Sequence, residues 1–223
     1  MKGLLVKDLQ ILRQQRRFLL LLFGIICFLM ITQAMTDPAF IIGYATFMSA
    51  MVLLGTVSYD EIENGYTFLF TLPVTRKSYV VSKYVLALVG VILVWTAVTV
   101  FCMVFAGGKT GTAWMEEMLT QAVPVLLVCL ILLFIMLPIQ MKFGAEKSRI
   151  VLIGIAGIIV VAGYLLKLLA DKLEGVLSYG KAIVEKLATL DIWSVLGIMI
   201  LLTVGVMLVT MYVSIRIMEK KEL

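Results

Sequence analysis

Charged and apolar positions along this chain are segregated into long blocks. Six stretches of 17 to 25 residues carry no Asp, Glu, Lys or Arg. They are Phe18–Thr36, Pro38–Tyr59, Tyr84–Gly108, Met118–Met141, Ile150–Leu166 and Ile192–Ile215. A helix rises about 1.5 Å per residue, so about 20 apolar residues cross a hydrocarbon core of roughly 30 Å. Inside a bilayer every backbone N–H and C=O needs a partner within the protein, and a helix supplies it within one segment. The pattern predicts an all-α membrane protein: one transmembrane domain over 1–223 with six spans, at 18–36, 38–59, 84–108, 118–141, 150–166 and 192–215.

The connections are patterned as well. In Met1–Arg17, Leu5, Leu9 and Leu12 fall at i, i+4 and i+7 among Lys2, Lys7, Gln10, Arg13 and Gln14, which predicts an amphipathic helix lying in the headgroup plane. Thr36-Asp37-Pro38 is a short turn, so the first two spans form an antiparallel hairpin. After the second span come Asp60, Glu61 and Glu63, then Asn64-Gly65, a helix-stop signal. The apolar-aromatic run Thr67–Pro73 follows, too short to span, and Thr75 is placed to cap the next helix. The segment 60–78 is thus an apolar patch with charged flanks, and it needs cover from headgroups or a partner protein. Pro138 predicts a kink or stop near the inner end of the fourth span, followed by a tight loop over Met141–Arg149. In Lys167–Asp191, Leu169, Leu173 and Val176, then Ile183, Leu187 and Leu190, repeat helical spacing, which predicts two short amphipathic outer helices.

Charge orients the bundle. Of the 19 Lys and Arg residues, 14 lie on the N-terminal arm, the second and fourth connections and the C-terminus, while the 14 acidic residues split evenly between the two sides. Lys and Arg bias sets orientation, so both termini are expected in the cytoplasm. The net charge of +5 therefore reads as a topology signal rather than nucleic-acid binding, with an anionic-lipid contact as a second reading. The first apolar run is too long, and its charged arm too extended, for a cleaved signal peptide.

Catalytic chemistry is scarce. The chain has no His, and Cys27, Cys102 and Cys129 all fall inside spans, so neither a disulfide framework nor a zinc site is indicated. Gly108-Lys109-Thr110 matches only the end of a phosphate loop, because Met103 stands where the first glycine belongs. No charge lies within the six stretches, which disfavours an ion-driven transporter. Thr32, Gln33, Thr46, Ser49, Thr96, Thr99, Gln121, Gln140, Tyr164, Thr203 and Thr210 read as interhelical hydrogen-bonding groups or as the lining of a path. No catalytic residue and no metal site is expected.

The segment Asp60-Glu61, Glu63-Asn64-Gly65-Tyr66, Phe68-Leu69-Phe70-Thr71-Leu72-Pro73-Val74-Thr75-Arg76-Lys77 and Ser82-Lys83-Tyr84 resembles the ABC-2 type transporter permeases. The opening Lys2 and Lys7-Asp8-Leu9 looks like that family's N-terminal arm. The likeness is strongest to small bacterial permeases that work with a separate ATPase, including those exporting phenol-soluble modulins or conferring peptide-antibiotic resistance. The resemblance implies a multi-pass subunit of the bacterial cytoplasmic membrane that exports an amphipathic or hydrophobic substrate. It implies an ABC ATP-binding subunit as partner and a second permease copy, as homodimer or related heterodimer, paired through spans one, two and five. ATP and magnesium would sit on the ATPase, with no cofactor in this chain. The coupling residues it implies are Glu61, Glu63, Asn64, Gly65, Tyr66, Phe68, Leu69, Phe70, Leu72, Pro73, Arg76 and Lys77. The alternative is an energy-independent scaffold, sensor or channel subunit. An adjacent gene encoding an ATPase would discriminate between the two.

Overall fold

The computed structural model describes residues 2–31, 38–61, 66, 75–105, 112–168 and 192–221. Every element among them is a helix: α1 Lys2–Gln14, α2 Arg16–Ile31, α3 Pro38–Glu61, α4 Arg76–Phe105, α5 Thr112–Leu168 and α6 Ile192–Lys220. Among the described residues, four segments are long and apolar enough to cross a membrane: Pro38–Glu61, Arg76–Phe105, Trp114–Gly144 and Trp193–Lys220. The first predicted span falls on α2, and the fifth on the second part of α5. Of the predicted outer-helix segment 167–191, residues 169–191 lie outside the described residues, as does the Gly-Lys-Thr turn.

α1 passes into α2 without a loop. Gln15 N–H donates to Ile11 O at 3.3 Å, and Phe18 N–H donates to Gln15 O at 2.9 Å. The chain therefore bends at one residue while its hydrogen bonding continues. The predicted stripe of Leu5, Leu9 and Leu12 is not the most buried face of α1, since Leu5 and Leu12 are only half-buried. Leu4 and Asp8 are buried against the bundle, whereas Leu9 is exposed.

α3 is the most buried span and packs against α4 and α5. Its inward face runs Ile42, Thr46, Ser49, Leu53, Thr56, Val57 and Asp60, at helical spacing. That face carries hydroxyls, each satisfied within its own helix: Thr46 Oγ1 donates to Ile42 O at 2.6 Å, Ser49 Oγ to Thr46 O at 2.7 Å, and Thr56 Oγ1 to Leu53 O at 2.8 Å. Side chains that bond back to the preceding turn expose no unpaired polar group, and their small size lets helices approach closely. At Gly90 of α4 an added Cβ would come within 2.9 Å of Leu53 Cδ1, so Leu53 of α3 packs into the space that the glycine leaves open.

Among the described residues, two apolar clusters hold the bundle. One joins α1, α3, α4, α5 and α6 through Leu4, Val57, Tyr84, Phe134, Met141 and Met218. Tyr84 stacks on Phe134 with ring centroids 5.7 Å apart, and its hydroxyl lies 3.0 Å from Ser214 Oγ. The other joins α2, α3, α4 and α5 through Leu22, Ile26, Ile42, Val98, Cys102 and Ala122. α6 enters only the first.

α5 differs from the sequence expectation. It continues through both Pro124 and Pro138 and breaks at Gly144, where φ is 80° and ψ is 173°. A tolerated proline needs only that neighbouring groups take up the freed carbonyl. Positive φ is costly for residues with a Cβ, so the break falls on the glycine. Nor does a loop occupy Met141–Arg149, since helix lies on both sides of Gly144.

Candidate coupling site

The site is built from three pairs at i and i+4, positions that share a helix face. α1 contributes Leu4 and Asp8, α3 contributes Thr56 and Asp60, and α4 contributes Tyr79 and Lys83. Lys83 is only 2% exposed. Its ammonium lies 2.8 Å from Asp8 Oδ1 and 2.8 Å from Asp60 Oδ2. It also donates to Thr56 O at 3.2 Å and lies 3.3 Å from Thr56 Oγ1. Tyr79 Oη donates to Asp60 Oδ2 at 3.0 Å. From α1, Lys7 donates to Asp60 Oδ1 and stands 3.7 Å from Asp8 Oδ1.

Two lysines and two aspartates cancel in formal charge. Taking such charges out of water costs several kcal/mol per ion, roughly, and mutual attraction offsets this only with good geometry and satisfied donors. Lys83 has more acceptors within reach than its three N–H bonds can use, so it is fully satisfied. Asp8 is less favoured. Its Oδ2 is buried with no hydrogen-bond partner among the described residues. Burial pushes its carboxyl above the usual carboxylate range, and the adjoining Lys83 ammonium opposes that shift.

The network has a mechanical consequence. Asp60 is the penultimate residue of α3 and Lys83 lies at the start of the third turn of α4, so their pairing clamps both flanks of the intervening chain. Asp8 and Lys7 fasten the N-terminal arm to the same clamp. A force applied between the flanks is shared by α1, α3 and α4.

The C-terminal end of α6 closes the other side. Arg76 Nη1 donates to Met218 O at 2.9 Å and to Glu219 O at 2.8 Å. Carbonyls at a helix C-terminus lack intrahelical partners, and a cation there also meets the negative end of the dipole. Lys77 pairs with Glu219 at 3.6 Å, but both are exposed and the pair contributes little. Lys221 donates to Met141 O at 3.2 Å, stands 3.8 Å from Glu61 Oε1 and lies 4.5 Å from the centre of the Tyr66 ring. Tyr66 is buried and meets Tyr79 edge to face, at 5.9 Å and 87°. Burial pushes its hydroxyl pKa up, with Asp60 and Glu61 adding to the rise. The Glu61 carboxylate packs against the Gly144 break: a Cβ there would lie 2.5 Å from Glu61 Oε1.

Of the residues the sequence put forward, the structure brings Glu61, Tyr66, Arg76 and Lys77 to one end of the bundle. Glu63, Asn64, Gly65, Phe68, Leu69, Phe70, Leu72 and Pro73 lie outside the described residues. Thr75 caps α4 as expected, with Ser78 N–H 3.2 Å from its Oγ1.

A family model for ABC-2 family transporter proteins matches residues 3–219. The chain belongs to that family. It is a multi-pass membrane protein and the permease component of an ABC transporter, a role that implies an ATP-binding partner. Members act as membrane transport components and are generally not catalytic themselves. No curated protein and no solved structure matches the chain.

Sequence reasoning passed over Asp8, Asp60, Lys83, Tyr79 and Lys221 as site residues. Asp60 and Lys83 flank apolar stretches and read as cytoplasmic charges, yet both fold inward. Asp8 and Asp60, far apart in the chain, converge on one ammonium. The usable signal was sign: acids at the end of one span and on the arm, and a lysine at the start of the next.

Proposed function

We propose that this permease is the membrane half of an exporter that carries an amphipathic or hydrophobic substrate outward. In this reading all six apolar stretches span, α2 and the second part of α5 included. Both termini lie in the cytoplasm of a bacterial cell, and α1 lies along the inner leaflet. Two copies, identical or related, pair and engage a pair of ATPase subunits that hold ATP and magnesium. The ATPases press on the segment from Tyr66 to Lys77, with Phe68, Phe70 and Leu72 as apolar anchors inside a charged rim, the usual build of a protein interface.

The observation that carries the reading is the clamp between Asp60 and Lys83. A coupling element has to move spans rather than bend between them. A buried ionic tie across its two flanks, joined by Tyr79 and the arm, supports rigid transmission into α3 and α4. Arg76 on the C-terminal carbonyls of α6, and Lys221 reaching from just past α6 to Glu61, extend the same rigid unit to the last helix.

The test is isolation of the native complex through a tag on this chain. The reading expects a co-purifying nucleotide-binding subunit whose ATP hydrolysis is stimulated by amphipathic peptides. Recovery of the chain without any nucleotide-binding partner, or ATP hydrolysis by the chain alone, contradicts it.

A further inference from the structure

The elbow between α1 and α2 carries two adjoining pockets of opposite character. The first is a groove of about 530 Å³ lined by Leu5, Leu9 and Leu12 of α1, Leu19 of α2 and Val89 and Leu93 of α4, with a floor from α3. Its volume falls within the roughly 300–1,000 Å³ of ligand pockets. Its one side-chain hydroxyl, on Ser49, already donates to Thr46 O at 2.7 Å, so the walls offer nothing to a polar occupant. The second pocket, of about 520 Å³, is lined by Gln10, Arg13, Gln14, Arg16 and Arg17. All three arginines are exposed, and none is in a salt bridge among the described residues. On α1, Leu9 and Arg13 stand one turn apart at i and i+4, so the leucine and arginine faces of the helix adjoin.

We infer that this elbow binds one anionic phospholipid, its phosphate among Arg13, Arg16 and Arg17 and an acyl chain in the leucine groove. The pairing of charge with depth decides the occupant. An arginine fork suits a phosphate oxygen pair. The neighbouring groove lies where α1 meets α3 and α4, and its apolar lining suits an acyl chain. A soluble anion would fill only the first pocket and a zwitterionic lipid would gain little from the arginines. A basic side chain close to an anionic surface contributes on the order of fivefold to affinity. The bound lipid would hold α1 against α4 from outside while Asp8 and Lys7 hold it from within.

The inference does not depend on the ATPase, so it is tested on the full chain alone. The chain is placed in nanodiscs of phosphatidylcholine with a minority of phosphatidylglycerol, and retained lipid is read by native mass spectrometry after release. The expected result is one retained phosphatidylglycerol, preferred over phosphatidylcholine by about tenfold or more, and not displaced by soluble glycerol phosphate. Arg13→Gln with Arg16→Gln should abolish the preference; the remaining basic residues of the arm preserve its orientation. Val89→Trp, at a half-exposed position, fills the groove with the arginines intact and should also remove the retained lipid. The inference is overturned if the wild-type chain shows no preference. It is equally overturned if glycerol phosphate displaces the lipid, or if Val89→Trp retains phosphatidylglycerol as the wild type does.

Discussion

Replacing Lys83 with Met tests the clamp directly. The methylenes of Met fill similar space, so packing against Tyr79 is largely kept while the charge is removed. Asp8 and Asp60, each 2.8 Å from the lost ammonium, then share one cation. Breaking a buried pair by deleting one partner costs about 3–5 kcal/mol. Lys7 is a third exposed and already contacts both carboxylates, so it takes up part of the imbalance. The expected loss is about 3 kcal/mol. For a chain of this length 1 kcal/mol moves the midpoint by roughly 2–4 °C, so a fall of about 6–12 °C is expected. Unfolding is followed by tryptophan fluorescence in nanodiscs, with Trp95, Trp114 and Trp193 as reporters. The double variant Lys83→Met with Asp8→Asn leaves Lys7 and Asp60, again neutral. It should regain about 1–2 kcal/mol over Lys83→Met, so the coupling between the two positions is that regain plus the loss of Asp8→Asn alone. If instead the losses of the two single variants simply add, the four residues do not act as one network and the reasoning fails.

The break in α5 and the topology are open to simpler tests. Gly144→Ala should destabilise by about 1–3 kcal/mol, since alanine meets the positive φ and the Glu61 carboxylate together. Pairing it with Glu61→Ala should recover only the steric part, and full recovery would show that φ carries no strain. A single Cys at Thr112 or at Ser178, in a background lacking Cys27, Cys102 and Cys129, should react with an impermeant thiol reagent in whole cells. Labelling at Ser148 but not at Ser178 would reverse the orientation.

The helices were legible because membrane burial writes itself as length without charge, and α3, α4 and α6 follow directly from that. Which face of α3 turns inward was not legible. Thr46, Ser49 and Thr56 sit on the buried face with their hydroxyls satisfied locally, so polarity does not mark the outside. A break near the inner end of the fourth span was expected at Pro138, and it falls on Gly144 a few residues later because the proline was the stronger local signal. Proline removes one hydrogen bond, whereas Gly144 adopts a backbone conformation that other residues resist. Half of the site was visible as the charged rim of a short apolar segment. The ionic clamp was not, because it joins Lys7 and Asp8 to Asp60 and Lys83 across long stretches of sequence, and pairing at that distance is a property of the fold.

The central claim is that the segment from Tyr66 to Lys77 receives the force of a separate ATPase. Its most direct test is co-purification of that ATPase with Phe68→Ala and with Phe70→Ala, alongside export by the same cells. Aromatic anchors at the centre of an interface each carry roughly 2 kcal/mol or more. The account predicts that either variant inserts normally, loses most of the ATPase and fails to export. Retention of the ATPase at wild-type stoichiometry by both variants, with export intact, would contradict it.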